Sequence, residues 1–292
     1  MTTFSPEESK NRATISAVIP TLNEEKNIEA CLNSLSSLCD EIFIVDSGSS
    51  DETLQIARKF GAQIVNHPYA NAAKQWNWAL NNLPLSGKWI LCLDADQQLS
   101  SELQEEIRRT LKSPPTGVDG FYLCRRQIFR GRWIRHGGYY PKYLLKLFRA
   151  GKGISDENEF QDFRFYVPGK TEKLRYDLIE DNQKEWDINF WISKHTRFAE
   201  LQAREEMMRR INGATWKIKP SLFGTPDQRV LWAKNFWYHL PLYVRPFLYF
   251  FYRYFIKLGF LDGKEGFVFH FFQGFWYRLL VDVKLDELRK NP

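Results

Sequence analysis

Apolar and polar positions alternate along the first hundred residues in blocks of two kinds. Residues 15–20, 41–45, 63–65 and 89–93 are short runs rich in bulky apolar side chains, with the length of strands. Between them, apolar positions recur at helical spacing. Ile28, Cys31, Leu32 and Leu35 form an i, i+3, i+4, i+7 stripe, and Leu54, Ile56 and Ala57 face inward in a second helix that Gly61 closes. Asn23 is placed to cap the first helix, with Glu24 and Glu25 in its first turn. Residues 70–82 are also predicted helical. Strand alternates with helix four times, which predicts an α/β fold with a mostly parallel sheet flanked by helices. Ligands of such sheets sit off the carboxyl ends of the strands. Asn23-Glu24, Asp46 and Asp94-Ala95-Asp96 all fall at those ends.

Asp94 and Asp96 carry the most chemistry. Two carboxylates one residue apart raise each other's pKa, and a bound divalent cation removes that cost. Oxygen ligands of this kind suit Mg²⁺ or Mn²⁺, which commonly share their coordination with substrate phosphates. An isolated Asp-x-Asp is more often a solvated turn. Its convergence with Asp46 and Asn23-Glu24 is what points to a site.

Three stretches resemble the sequence blocks of the family 2 glycosyltransferases, whose fold is the Rossmann-like GT-A fold. They are Ser16-Ala17-Val18-Ile19-Pro20-Thr21-Leu22-Asn23-Glu24, then Ile44-Val45-Asp46-Ser47-Gly48-Ser49-Ser50-Asp51, then Asp94-Ala95-Asp96. Residues 131–141 and 190–199 are similar to bacterial enzymes that build lipopolysaccharide core or surface polysaccharide. The resemblance implies a nucleotide-sugar donor whose nucleoside is held by Pro20, Leu22, Glu24 and Asp46. Lys74 and Asn77 would face the nucleotide sugar, and Asp94 the ribose and sugar side. Asp96 is the implied direct metal ligand, with Gln98 joining the metal shell. Ser47 stands where many relatives carry a second Asp. Inverting transfer needs a general base for the acceptor hydroxyl. Within the acidic stretch 155–163, Asp162 fits the family's register best, with Glu159 second. Lys194 and His195, on a later helix, are within plausible reach of the diphosphate, and His136 of an acceptor loop.

Composition sets the outer bounds. A chain of 292 residues holds one α/β domain and an appended element. The expected division is a disordered stretch over 1–12, the GT-A domain over 13–212, and an aromatic, basic, membrane-associating region over 213–292. Aromatic residues make up 16% of the chain and gather after residue 215. Pro241, Arg245, Pro246, Arg253 and Lys257 interrupt that region, so no run is long enough to span a bilayer. Its Trp, Tyr and Phe mixed with Lys and Arg suit a membrane interface, where cations meet anionic lipid. An aromatic core closing over the catalytic domain is the alternative. Residues 281–289 read as an amphipathic helix.

The net charge of +6 raises the question of nucleic acid. The basic residues form no long stripe and no nucleic-acid module is recognisable, so no nucleic-acid partner is expected. A nucleotide diphosphate and an anionic membrane surface account for the same charge. The four cysteines show no metal-ligand spacing and fit a reducing cytoplasm. No cleavable signal is visible. The expectation is therefore an enzyme at the inner face of the cytoplasmic membrane, acting on a lipid-linked or glycan acceptor. A sugar-nucleotide nucleotidyltransferase would open with a Gly-rich, Arg-Lys-containing phosphate loop, which is absent after Pro20. A catalytically silent scaffold that binds nucleotide sugar or lipid is the other alternative.

Overall fold

The computed structural model describes residues 14–160, 163–213 and 216–290. The stretch expected to be disordered, 1–12, and the candidate base Asp162 lie outside the described residues. Strands β1 (Ile15–Thr21), β2 (Glu41–Asp46), β3 (Gln63–Asn66) and β4 (Trp89–Cys92) pair in parallel in the order β3-β2-β1-β4. Helices α1 (Ile28–Leu35), α2 (Thr53–Lys59) and α3 (Ala72–Asn82) connect them. Alternate residues of each central strand enter separate cores. Ile15, Ala17, Ile19, Trp89 and Leu91 pack on one face of the sheet; Val18, Ile90 and Cys92 pack on the other. Burial on both faces is why these strands read as unbroken apolar runs.

Beyond β4 the pairing changes hand. β8 (Lys142–Arg149) lies antiparallel to β4, β6 (Val118–Phe129) antiparallel to β8, and β11 (Lys170–Asp181) parallel to β6. The short β5 (Gln97–Leu99) closes the far edge, antiparallel to β11. β7 (Arg132–Trp133) folds back on β6, and β9 (Ile154–Ser155) with β10 (Phe165–Tyr166) forms a separate ribbon. The sheet is thus parallel over its first four strands and mixed thereafter. Helix α4 (Ser101–Lys112), capped by the Ser100 hydroxyl, buries Leu103, Ile107 and Leu111 against it.

Asn23 does not cap α1, which begins five residues later. It sits in the left-handed region with φ 55° and its Oδ1 accepts from Ser50 N (2.8 Å), clipping the loops after β1 and β2 together.

The remaining described elements are helices. α5 (Ile188–Asn212) is followed by α6 (Pro226–His239), whose Thr225 and Gln228 form a capping box. α7 (Arg245–Phe251) runs into π-helical turns over 252–256, and α8 (Gly263–Phe269) into a π-helical segment over 270–276. α9 (Tyr277–Lys290) contains the expected amphipathic stretch and packs Tyr277, Val281 and Leu285 on Ala199 and Ala203 of α5. Among the described residues, no helix is long and apolar enough to cross a membrane. Arg245 and Arg253, expected to meet lipid, are buried instead. Arg245 pairs with Glu206 (2.9 Å) and Asp282 (2.5 Å), and Arg253 donates to Gly137 O (2.8 Å).

Candidate active site

Because β1 lies between β2 and β4, the carboxyl ends of these strands meet along one edge of the sheet. Pro20 is half-buried there and Leu22 is exposed. In the loop after β2, Asp46 is 1% exposed. Its Oδ1 accepts from Thr21 Oγ1 (2.9 Å) and Ser49 Oγ (2.5 Å), and its Oδ2 from the backbone N–H groups of Gly48 (2.9 Å) and Ser49 (2.8 Å). Burial works against its charge, but these bonds prevail and hold the carboxyl below its ordinary range. Four donors fill the lone-pair positions of a carboxylate. Asp46 therefore shapes the loop at the place where the nucleoside is expected. Gly48, at φ +99°, takes a backbone conformation that a side chain would strain.

At the end of β4, Asp94 Oδ2 accepts from Lys146 Nζ (2.8 Å). Lys146 reaches it from the antiparallel β8, buried beneath the rings of Trp76, Phe163 and Phe165. Gln97 joins this pair to β11: its Oε1 accepts from Asp94 N (3.1 Å) and its Nε2 donates to Glu180 Oε2 (2.7 Å). Glu180 also pairs with Arg125 (3.0 Å). Arg125 and Gln97 outweigh burial and keep Glu180 below its ordinary pKa. A cleft opens here, lined by Asp94, Gln97, Arg125, Lys142, Lys146 and Glu180.

Asp96 lies beside this chain of contacts. Its Oδ2 accepts from Asn182 Nδ2 (2.9 Å), and Asn182 is held in turn by Asn27 (3.2 Å). Burial pushes the Asp96 carboxyl up to about 8; Glu180, Asp94 and Glu24 add to the rise while Lys194 opposes it. Glu24 pairs with Lys184 (2.5 Å) and Lys194 with Glu185 (2.7 Å), so both stand around Asp96 already partnered.

The donor set can be compared with the needs of a divalent cation. Among the described residues, no three His, Cys, Asp or Glu side chains form a metal cage. Two carboxylates close to one another, one with its charge disfavoured by its surroundings, fit a cation that takes the rest of its shell from substrate phosphate and water.

Other expected residues are placed differently. Gln98 follows Gln97 on β5, where successive side chains take opposite faces; Gln97 is the one bonded to Asp94 and Glu180. Lys74 is exposed on α3. Asn77 is spent on structure: its amide bonds Ser155 N (2.8 Å) and Ser155 O (3.0 Å), tying β9 to α3. Glu159, the second candidate base, is fully buried and accepts from Arg164 N (2.9 Å) and Tyr166 Oη (2.8 Å). His195, the expected diphosphate neighbour, is placed in the helical interior. It stacks on Trp191 at 3.5 Å, bonds Trp191 O (2.9 Å), and burial pushes it down to about 4, so it is neutral. His136 pairs with Asp262 (2.7 Å) and ties its loop to the C-terminal helices. Sequence reasoning missed Lys146, Glu180, Asn182 and Arg125. They come from strands and turns that the alternating pattern of the first hundred residues does not reach.

A sheet of this order, with paired carboxylates on its carboxyl edge, is the GT-A class of α/β fold. Residues 16–169 match the model of glycosyl transferase family 2, and the chain belongs to that family. It is 43% identical over 93 residues to an uncharacterized glycosyltransferase of Rickettsia bellii, covering 32% of this chain and 31% of the relative. It is 33% identical over 152 residues to the lipopolysaccharide core biosynthesis glycosyltransferase LpsC of Rhizobium meliloti, covering 49% of this chain and 53% of that protein. The matches thus span about a third to a half of these relatives. Glucosyl-3-phosphoglycerate synthase of Mycobacterium tuberculosis, solved with Mn²⁺, UDP and glucosyl-3-phosphoglycerate, is 28% identical over 43% of this chain and 47% of its own. The TM-score is 0.32.

Proposed function

We propose that this glycosyltransferase moves a sugar, with inversion at the anomeric carbon, from a nucleotide-diphosphate donor to a lipid-linked or lipopolysaccharide-type acceptor. Residues 13–212 form the transferase domain, and residues 213–292 associate with the inner face of the cytoplasmic membrane. The reading rests on one observation above all: Asp94 and Asp96 stand together at the carboxyl end of a central strand, inside the segment that matches the family.

Asp96 and Asp94 would hold Mg²⁺ or Mn²⁺. When bound, such an ion neutralises charge on the diphosphate leaving group. The protein supplies further positive charge from Lys146 beside Asp94 and Lys194 beside Asp96. The acceptor oxygen bonds to the anomeric carbon as the carbon–oxygen bond to phosphate breaks. The nucleoside diphosphate leaves with that electron pair, and a general base takes the acceptor's proton. Asp162 is assigned as the base on sequence. Glu180 is the second reading, because it lines the cleft with Asp94 and is held ionised.

Calorimetric titration with UDP-, GDP- and dTDP-sugars, with and without Mn²⁺, tests the proposal. Binding of one donor only in the presence of metal is the expected result. Failure of every donor to bind a folded sample would favour the silent scaffold.

A further inference from the structure

The C-terminal helices carry their polarity in the reverse of the usual sense. Among the described residues, 18 of the 24 exposed large apolar side chains lie between Leu222 and Phe271. Ionic groups of the same segment turn inward: Arg245, Arg253, Asp262 and His270 are all buried. The exposed apolar groups are also joined. Phe247, Phe251 and Phe255 follow one another at helical spacing, as do Phe267 and Phe271. Ring contacts run from Phe251 to Phe255 (5.2 Å), from Phe255 to Tyr254 (5.1 Å), from Tyr254 to Phe267 (5.7 Å) and from Phe267 to Phe271 (6.1 Å). Soluble monomers rarely leave so large a contiguous apolar face to water.

Charge identifies what covers this face. Every exposed charged side chain between residues 222 and 271 is a cation, namely Arg229, Lys257 and Lys264. Aromatic rings edged by Lys and Arg match the depth profile of a bilayer surface, where rings lie at headgroup level and cations meet anionic headgroups. With no described helix able to span, the face lies on the membrane rather than through it.

We propose that the face running from Phe247 to Phe271 inserts into the interfacial layer of a lipid bilayer, driven mainly by burial of its aromatic rings. Lys257 and Lys264 add a smaller, salt-sensitive share. This deepens the reading of a lipid-linked acceptor by naming the surface that meets the lipid. The face is rigidly tied to the catalytic sheet. Asp262 accepts from His136 N (2.9 Å), Lys257 O accepts from Gly137 N (2.8 Å), and Arg253 donates to Gly137 O. That loop leads into β8, the strand that carries Lys146 to Asp94.

Flotation of the full chain with vesicles of phosphatidylcholine, alone or mixed with phosphatidylglycerol, tests the inference. The protein is expected to float with both, and to stay bound to the mixed vesicles in about 0.5 M salt, where exposed charges are screened. Phe247→Ser/Phe251→Ser/Phe255→Ser should lower binding about tenfold or more on both. These side chains are exposed, so circular dichroism should be unchanged. Lys257→Glu/Lys264→Glu should weaken binding to the anionic vesicles alone. Absence of flotation with either vesicle would overturn the proposal. So would a stable lipid-free dimer that the triple variant dissociates without changing flotation. Metal-dependent donor binding, measured on the triple variant, separates this inference from the transferase reading: it should survive when flotation is lost.

Discussion

Asp96 is answered by one amide, Asn182 Nδ2, amid three other carboxylates. Asn182→Ala should therefore weaken Mn²⁺-dependent donor binding by about 10- to 100-fold, the usual cost of losing a group that orients a metal ligand. Titration of the variant with donor and Mn²⁺ checks this, and an unchanged affinity would remove Asp96 from the metal site. The two base assignments separate in the same way. Asp162→Asn and Glu180→Gln should both keep donor binding, while only the true base variant loses about 10²- to 10⁴-fold in turnover. Glu159→Gln should act on stability instead, because it neutralises one of the two carboxylates, Glu159 and Asp227, that pair with buried Arg164. A loss of about 1–3 kcal/mol in denaturant unfolding is expected. The two aspartates were legible in sequence because they share one short segment. Their partners were not: Lys146 and Asn182 lie 52 and 86 residues away from the carboxylates they bind.

Elements were legible where burial is two-sided. β1, β2 and β4 read as strands because both faces are covered, and α1 as a helix because its apolar stripe is unbroken. β11 escaped notice because much of it is solvent-facing, with exposed Lys173, Arg175 and Tyr176 interrupting the pattern. The placement of His195 on α5 was hidden for a related reason, since sequence does not say which side of a long helix faces inward. His195 turned out to belong to the interior. Its folded pKa of about 4 lies below the ordinary 6.5, so the unfolded chain binds the proton more readily. Stability should thus fall as pH drops from about 6.5 to 4, with a slope from this group approaching about 1.4 kcal/mol per pH unit. His195→Phe should flatten that part of the unfolding profile; an unaltered slope would place the proton uptake elsewhere. Gly137 is a second element-level constraint. At φ +66°, an added Cβ would lie 2.1 Å from His270, so Gly137→Ala should lower the melting temperature by disturbing the loop that carries His136.

Across the whole molecule, the three sequence blocks that carry Asn23-Glu24, Asp46 and the two aspartates end at Asp96, whereas the groups that complete their surroundings arrive much later along the chain. Lys146 comes with β8, and Glu180 and Asn182 with the end of β11. The fold of residues 15–93 was readable from periodicity; the mixed part that follows depends on pairings between distant segments, which periodicity does not encode. This arrangement has a consequence for synthesis on the ribosome, where the chain emerges from its N-terminus. The four parallel strands and both aspartates leave the exit tunnel first, with Asp94 lacking its lysine and Asp96 its amide. A nascent chain stalled before β8 should therefore carry the three N-terminal blocks that resemble the family yet lack the groups that surround the two aspartates. Assembly of those surroundings waits for the last strand of the sheet.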